Sequence, residues 1–88
     1  MTTTLPDDPP PRCRTEVDLG ALRGNAEVLA SLAGPRCGLM AIVKADAYGH
    51  GLPEVVAALA GRVGWFGVAN FREAKRVRTA AGERRAEV

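Results

Sequence analysis

The chain has 88 residues, with 12 lysines and arginines against 10 aspartates and glutamates, and a formal charge of +2 with its single histidine neutral. At 47% hydrophobic and 25% charged residues it reads as at most one soluble globular domain rather than a disordered or membrane protein. The balance is too even for a nucleic-acid footprint, and no apolar run reaches the ~20 residues of a membrane span, so neither nucleic acid nor a membrane is an expected partner.

The first thirteen residues contain Pro6, Pro9, Pro10 and Pro11 and lack the basic and apolar regions of a secretory signal. They read as a disordered Pro-rich tail, residues 1–13, ahead of a folded part, residues 14–88. Cys13 and Cys37 match no metal spacing, and two cysteines without a secretion signal favour free thiols in a reducing compartment. The expected location is the cytoplasm.

Arg14 to Asp18 alternates Thr15 and Val17 with Glu16 and Asp18, the pattern of a short strand. Asp18 then suits the N-cap of a helix from Leu19 to Ala33, whose Leu19, Leu22, Ala26, Leu29 and Ala33 recur at the helical period until Gly34-Pro35 stops it. Gly38 to Val43 is a continuous apolar run, as expected of a strand covered on both faces. Residues 45–51 read as a loop by their glycines. Pro53 opens a helix to Ala60 that buries Val55, Val56 and Leu59, with Gly61 just past its end.

Trp65 to Ala69 is a second buried strand. Asn70 and Glu73 form an N-x-x-E start for a helix to about Ala81, with Phe71, Ala74, Val77 and Ala81 inward and Gly82 as terminator. Its Arg72, Lys75, Arg76 and Arg78 read as a solvated face. Val88 begins a possible third strand. Alternating strands and helices imply βαβ units and an α/β fold with parallel pairing, and two parallel strands alone leave edges and helix faces without partners.

Lys44 stands out as a lone charge at the carboxyl end of an apolar strand, where function collects in parallel α/β folds. In an apolar mouth that disfavours its charged form it is a candidate nucleophile toward a carbonyl cofactor. On position alone the plainer reading, a strand-end lysine reaching into solvent, is the favoured one. Tyr48, flanked by Gly49 and Gly51 and followed by a helix N-terminus, offers the parts of a phosphate site or simply a packed turn. No nucleotide-binding glycine pattern occurs.

The segment Ala41-Ile42-Val43-Lys44-Ala45-Asp46-Ala47-Tyr48-Gly49-His50-Gly51 resembles the pyridoxal-phosphate attachment signature of the alanine racemases. The resemblance extends to Arg14-Thr15-Glu16-Val17-Asp18-Leu19, to Ala21-Leu22-Arg23 with Asn25, and to Gly67-Val68-Ala69 with Glu73-Ala74 and Arg78. It covers roughly Arg14 to Gly82. It implies that residues 14–88 are the N-terminal portion of a (β/α)8 TIM-type barrel, incomplete because such a barrel takes about 250 residues.

What the resemblance implies for chemistry is specific. Lys44 would bond pyridoxal 5′-phosphate covalently and serve as one of two proton-transfer bases, and Tyr48 would hydrogen-bond the cofactor phosphate. His50 belongs to the signature with no catalytic part assigned to it, and as the single histidine it reads better as a structural residue of the loop. The substrate would be alanine, interconverted between its L and D forms to supply peptidoglycan precursors, in a homodimer. The second base, a tyrosine of the partner subunit, and the contact to the pyridine nitrogen belong to later parts of the family's chain. This sequence has one tyrosine. The 88 residues alone are therefore expected to be an inactive, poorly soluble fragment. Two alternatives share the fold: a non-catalytic pyridoxal-phosphate homeostasis protein and a decarboxylase of basic amino acids. The Tyr48-Gly49-His50-Gly51 segment favours the racemase over both.

Overall fold

A computed structural model describes residues 12–88. Most of the expected Pro-rich tail therefore lies outside the described residues. The elements run α1 (Leu19–Ala33), β1 (Met40–Ile42), α2 (Lys44–Tyr48), α3 (Leu52–Leu59), β2 (Trp65–Gly67) and α4 (Phe71–Ala81). This is an alternating helix and strand chain, as the sequence pattern implies.

β1 and β2 pair in parallel, with Met40 opposite Trp65 and Ile42 opposite Gly67. The ladder continues past β1, where Val43 N donates to Gly67 O at 2.9 Å. On the other side of β2, Glu87 forms an isolated parallel bridge to Trp65, and Phe66 N donates to Glu87 O at 2.7 Å. The third strand thus begins as a single bridge, one residue before Val88. Arg78 and Arg84 hold that returning segment, donating to Ala86 O and Ala57 O respectively.

The strand expected over Arg14 to Asp18 does not form. These residues are exposed and irregular, and the local contact there is an ion pair between Arg14 and Glu16. Alternation marks a strand only where a neighbour takes its backbone groups, and among the described residues none lies alongside. Asp18 nevertheless caps α1 as expected, accepting from Ala21 N at 2.9 Å.

The core lies between one face of the strand pair and helices α3 and α4. Leu52, Val55, Val56 and Leu59 of α3, Val77 and Ala81 of α4, Val43 and Phe66 are all buried, and Ala26 of α1 joins them. α3 packs against both α1 and α4. Alternation sends Ala41 and Phe66 to the covered side of the sheet and Met40, Ile42 and Trp65 to the other. That other side is bare, with Met40 56%, Ile42 46% and Trp65 48% exposed. The expectation of strands covered on both faces is corrected accordingly: helices cover one side, and no described residue covers the second. Phe71 is likewise exposed rather than inward, and Leu29 and Ala33 of α1 face solvent.

Among the described residues no helix is long and apolar enough to cross a membrane.

Candidate cofactor lysine and its left-handed turn

The residues that the sequence singled out for chemistry, Lys44, Tyr48 and the neighbouring His50, all lie in the segment that leaves the carboxyl end of β1. Lys44 follows β1 directly after buried Val43 and is exposed. Among the described residues no carboxylate lies within ion-pair distance of its amine. The apolar mouth expected around it is absent, because only two strands flank the position and their bare side opens to solvent.

The segment read as a loop is a left-handed helical turn. Ala45, Asp46, Ala47 and Tyr48 have φ of 52, 57, 54 and 56°, and the first three have ψ between 43 and 49°. Left-handed backbone costs an L-residue roughly 1–2 kcal/mol, and four in succession without a glycine need compensation. The compensation is a dense set of bonds. Ala47 N donates to Val43 O at 2.9 Å, and Gly49, also at positive φ, closes the turn by donating to Ala45 O and Asp46 O. His50 Nδ1 donates to Ala47 O at 2.9 Å, and Gly51 N donates to Asp46 O at 3.0 Å. Ala47 is buried, whereas Tyr48 ends the turn 60% exposed. His50 thus fastens the turn from outside, in keeping with a structural role.

The Asp46 carboxylate accepts from Leu52 N at 2.8 Å, the first residue of α3, and sits 3.4 Å from an Arg76 guanidinium nitrogen. Glu54 also stands in the first turn of α3, and a Cβ on Gly51 would lie 2.6 Å from its carboxylate. Two carboxylates thus occupy the helix N-terminus that the sequence offered to a phosphate. Like charge and the loss of the Leu52 donor leave Tyr48 as the phosphate-facing candidate in this loop.

Glu73 is the residue whose part the sequence did not disclose. Its backbone N–H donates to Asn70 Oδ1 at 2.9 Å, half of the expected capping box. Its carboxylate does not simply close that box. One oxygen accepts from Ala69 N at 2.7 Å, just past β2, and the other from Ala45 N at 2.9 Å, just past Lys44. These two bonds, to Ala69 first and Ala45 second, hold the Glu73 carboxyl below the usual carboxylate range; a weaker contact to the Asn70 backbone and the charge of Arg76 add to them. An N-x-x-E pattern signals a cap, but nothing in it tells that the glutamate reaches a segment 28 residues away.

The basic cluster on α4 is largely engaged within the chain. Arg76 meets Asp46, Arg78 meets Ala86 O, and the Lys75 ammonium lies 5.8 Å from the Phe71 ring centroid. Cys13 and Cys37 are free and exposed. Among the described residues no group of side chains could hold a metal ion.

Residues 17–86 match the family described as alanine racemase, N-terminal domain. The chain is 50% identical over 70 residues to the alanine racemase of Streptomyces coelicolor, covering 78% of this chain and 18% of that protein. It is 48% identical over 82 residues to the alanine racemase of Mycolicibacterium smegmatis, covering 89% and 21%, and 45% identical over 83 residues to that of Prochlorococcus marinus, covering 90% and 22%. The chain therefore spans about a fifth of the length of these relatives. No solved structure matches it. With the family match running from Val17 through the whole lysine turn to Ala86, this chain belongs to the alanine racemase N-terminal domain family.

Proposed function

We propose that the chain is the cofactor-anchoring part of an alanine racemase, an isomerase that interconverts L-alanine and D-alanine with pyridoxal 5′-phosphate, and that residues 14–88 contribute the first strands of its (β/α)8 barrel. The observation that carries this reading is the presentation of Lys44. A solvent-accessible primary amine, without a carboxylate partner among the described residues, stands at the carboxyl end of a parallel strand, on a turn whose backbone is bonded at nearly every position.

The donor set suits that cofactor. Condensation with an aldehyde needs an accessible amine, and Lys44 supplies one; an anionic phosphate needs a hydrogen-bond donor, and the exposed Tyr48 phenol supplies one four residues on. When bound, the cofactor provides an electron sink for the pair left behind as the substrate Cα loses its proton. Lys44 would hold the cofactor, and its free amine would take or return a proton at Nζ on the face of Cα that it addresses. Racemisation needs a second base on the opposite face. The only tyrosine of this sequence is assigned to the phosphate, so that base and the pyridine contact come from elsewhere in a complete enzyme, which the relatives' greater length accommodates. A homodimer that brings a partner's base to the site, and a reducing cytoplasm compatible with two exposed free cysteines, complete the reading.

The test uses the protein expressed from its complete reading frame. D-Alanine formation from L-alanine, followed by a coupled D-amino-acid oxidase assay, should require pyridoxal phosphate and should vanish in Lys44→Ala while surviving in Lys75→Ala. Cofactor-independent turnover, or loss in Lys75→Ala alone, would overturn the assignment. The 88 residues by themselves should show no turnover in the same assay.

A further inference from the structure

We propose that Glu73 is a positioning residue for Lys44: its carboxylate ties the peptide leaving Lys44 to the end of β2 and so fixes the direction in which the amine is presented. The inference rests on the reading of Lys44 as the cofactor lysine.

The argument begins with the peptide between Lys44 and Ala45. Its N–H belongs to Ala45, the first residue of the left-handed run at φ 52°, and it donates to Glu73 Oε2 at 2.9 Å. The other oxygen of the same carboxylate takes Ala69 N at 2.7 Å. β1 and β2 are already in register up to the bond from Val43 N to Gly67 O. Beyond that bond the two chains diverge into their loops, and Glu73 is the bridge that rejoins them.

Glu73 is itself fixed. It sits in the first turn of α4, with its own N–H held by Asn70 Oδ1, so the carboxylate is presented by a capped helix rather than by a loose side chain. A carboxylate is the one side-chain end that suits the task. Both donors are backbone N–H groups, and two acceptor oxygens on one carbon receive both. Glutamine offers one acceptor, and its amide would set N–H against N–H at the other. Aspartate is a methylene shorter and fails to span.

A cap that merely stabilised α4 would bond within its own helix turn. The bond to Ala45 serves the lysine turn instead, and it falls on the peptide unit that defines where the Lys44 side chain departs from the sheet. Without it, the positive φ of Ala45 loses the contact that offsets its strain, and the lysine backbone is free to relax.

The experiment compares Lys44 with Lys75, the two lysines of these 88 residues. Apoprotein from the complete reading frame is exposed briefly to pyridoxal phosphate. The amine condenses with the aldehyde, releasing water; borohydride then delivers hydride to fix the product as a secondary amine, and peptide masses report labelling at each site. Lys75, exposed on α4, is the internal reference. Glu73→Gln should lower the Lys44 to Lys75 labelling ratio at least tenfold and speed hydrogen exchange of the Ala45 amide at least tenfold, while exchange at Val56 and Phe66 stays unchanged. An unchanged ratio, or a fall matched by faster exchange throughout the core, overturns the positioning role.

Should Glu73→Gln not fold, the unsubstituted protein decides. Its Ala45 and Ala69 amides should both exchange slowly, and free exchange at Ala45 overturns the proposal. Labelling of unsubstituted protein at Lys75 alone would instead defeat the cofactor assignment while the exchange data still reported on the Glu73 bonds.

Discussion

A carboxylate that accepts two backbone N–H bonds is stabilised in its ionised form, and Glu73 shows the consequence as a lowered pKa. The sign of the linkage follows. Because the folded value lies below the unfolded one, about 4.3 for a glutamate, the contribution to stability is complete above that pH and disappears as pH falls through the folded value. The unfolding midpoint of the native protein should therefore exceed that of Glu73→Gln by a constant margin near neutrality, and the margin should shrink on acidification below about pH 4. A margin that stays constant into acid would mean that the two bonds do not depend on the ionised carboxylate. Asp46 offers a second check on side-chain capping. Asp46→Ala removes the acceptor for Leu52 N and should cost about 1 kcal/mol in urea unfolding, nearly all of it through the cap, since its contact with Arg76 is solvent-exposed. Lys44 and Tyr48 were legible as candidate site residues because a lone charge after an apolar run and a phenol among glycines are conspicuous in sequence. Glu73 was legible only as a helix cap, because its second partner is set by how the two strands align and not by local spacing.

The secondary elements divide by the same logic. α1, α3 and α4 follow from apolar periodicity and from caps at Asp18 and Asn70, all of which act within a few residues. The strand read at Arg14 to Asp18 failed because alternation alone does not supply a neighbour. The left-handed turn was beyond reach for another reason: Ala45, Asp46, Ala47 and Tyr48 carry no preference for positive φ, apart from the tolerance of an aspartate, so the conformation is imposed by surrounding bonds. That gives a direct test of where strain resides. Ala45 is exposed, so Ala45→Gly relieves left-handed strain of roughly 1–2 kcal/mol against an entropic cost of about 0.5–1 kcal/mol in the unfolded chain. It should stabilise by about 0.5–1 kcal/mol, read as a higher urea midpoint at constant slope. Ala47 has the same backbone but is buried, and Ala47→Gly also surrenders a methyl worth about 0.8 kcal/mol, so it should be close to neutral. Equal effects at the two positions would show that backbone strain, not burial of the Ala47 methyl, governs this turn.

The two-stranded sheet is finished on one side only. Phe66 and Val43 are buried under helices, whereas Met40, Ile42 and Trp65 stand on the bare side, where Gly67 leaves the gap into which the Ile42 and Met40 tips fold. An ideal Cβ on Gly67 would approach Ile42 Cδ1 to 2.6 Å. Beyond β1 and Glu87 the parallel ladder also has no further partner among the described residues. Three large apolar side chains on one side of a sheet with open edges are an association surface in water, because covering them recovers the hydrophobic free energy of their exposed area at about 25 cal/mol per Å². Within a barrel this side would face inward and be covered by further strands, in line with the family to which the chain belongs. The 88 residues alone should therefore bind a hydrophobic dye such as ANS and should sediment above their monomer mass of 9.3 kDa as concentration rises. Ile42→Lys, which places a charge in the middle of that side without touching the helix-covered core, should suppress both effects. If the unsubstituted chain stays monomeric and silent toward the dye at all concentrations, the bare side is covered within the chain and the strands do not await partners.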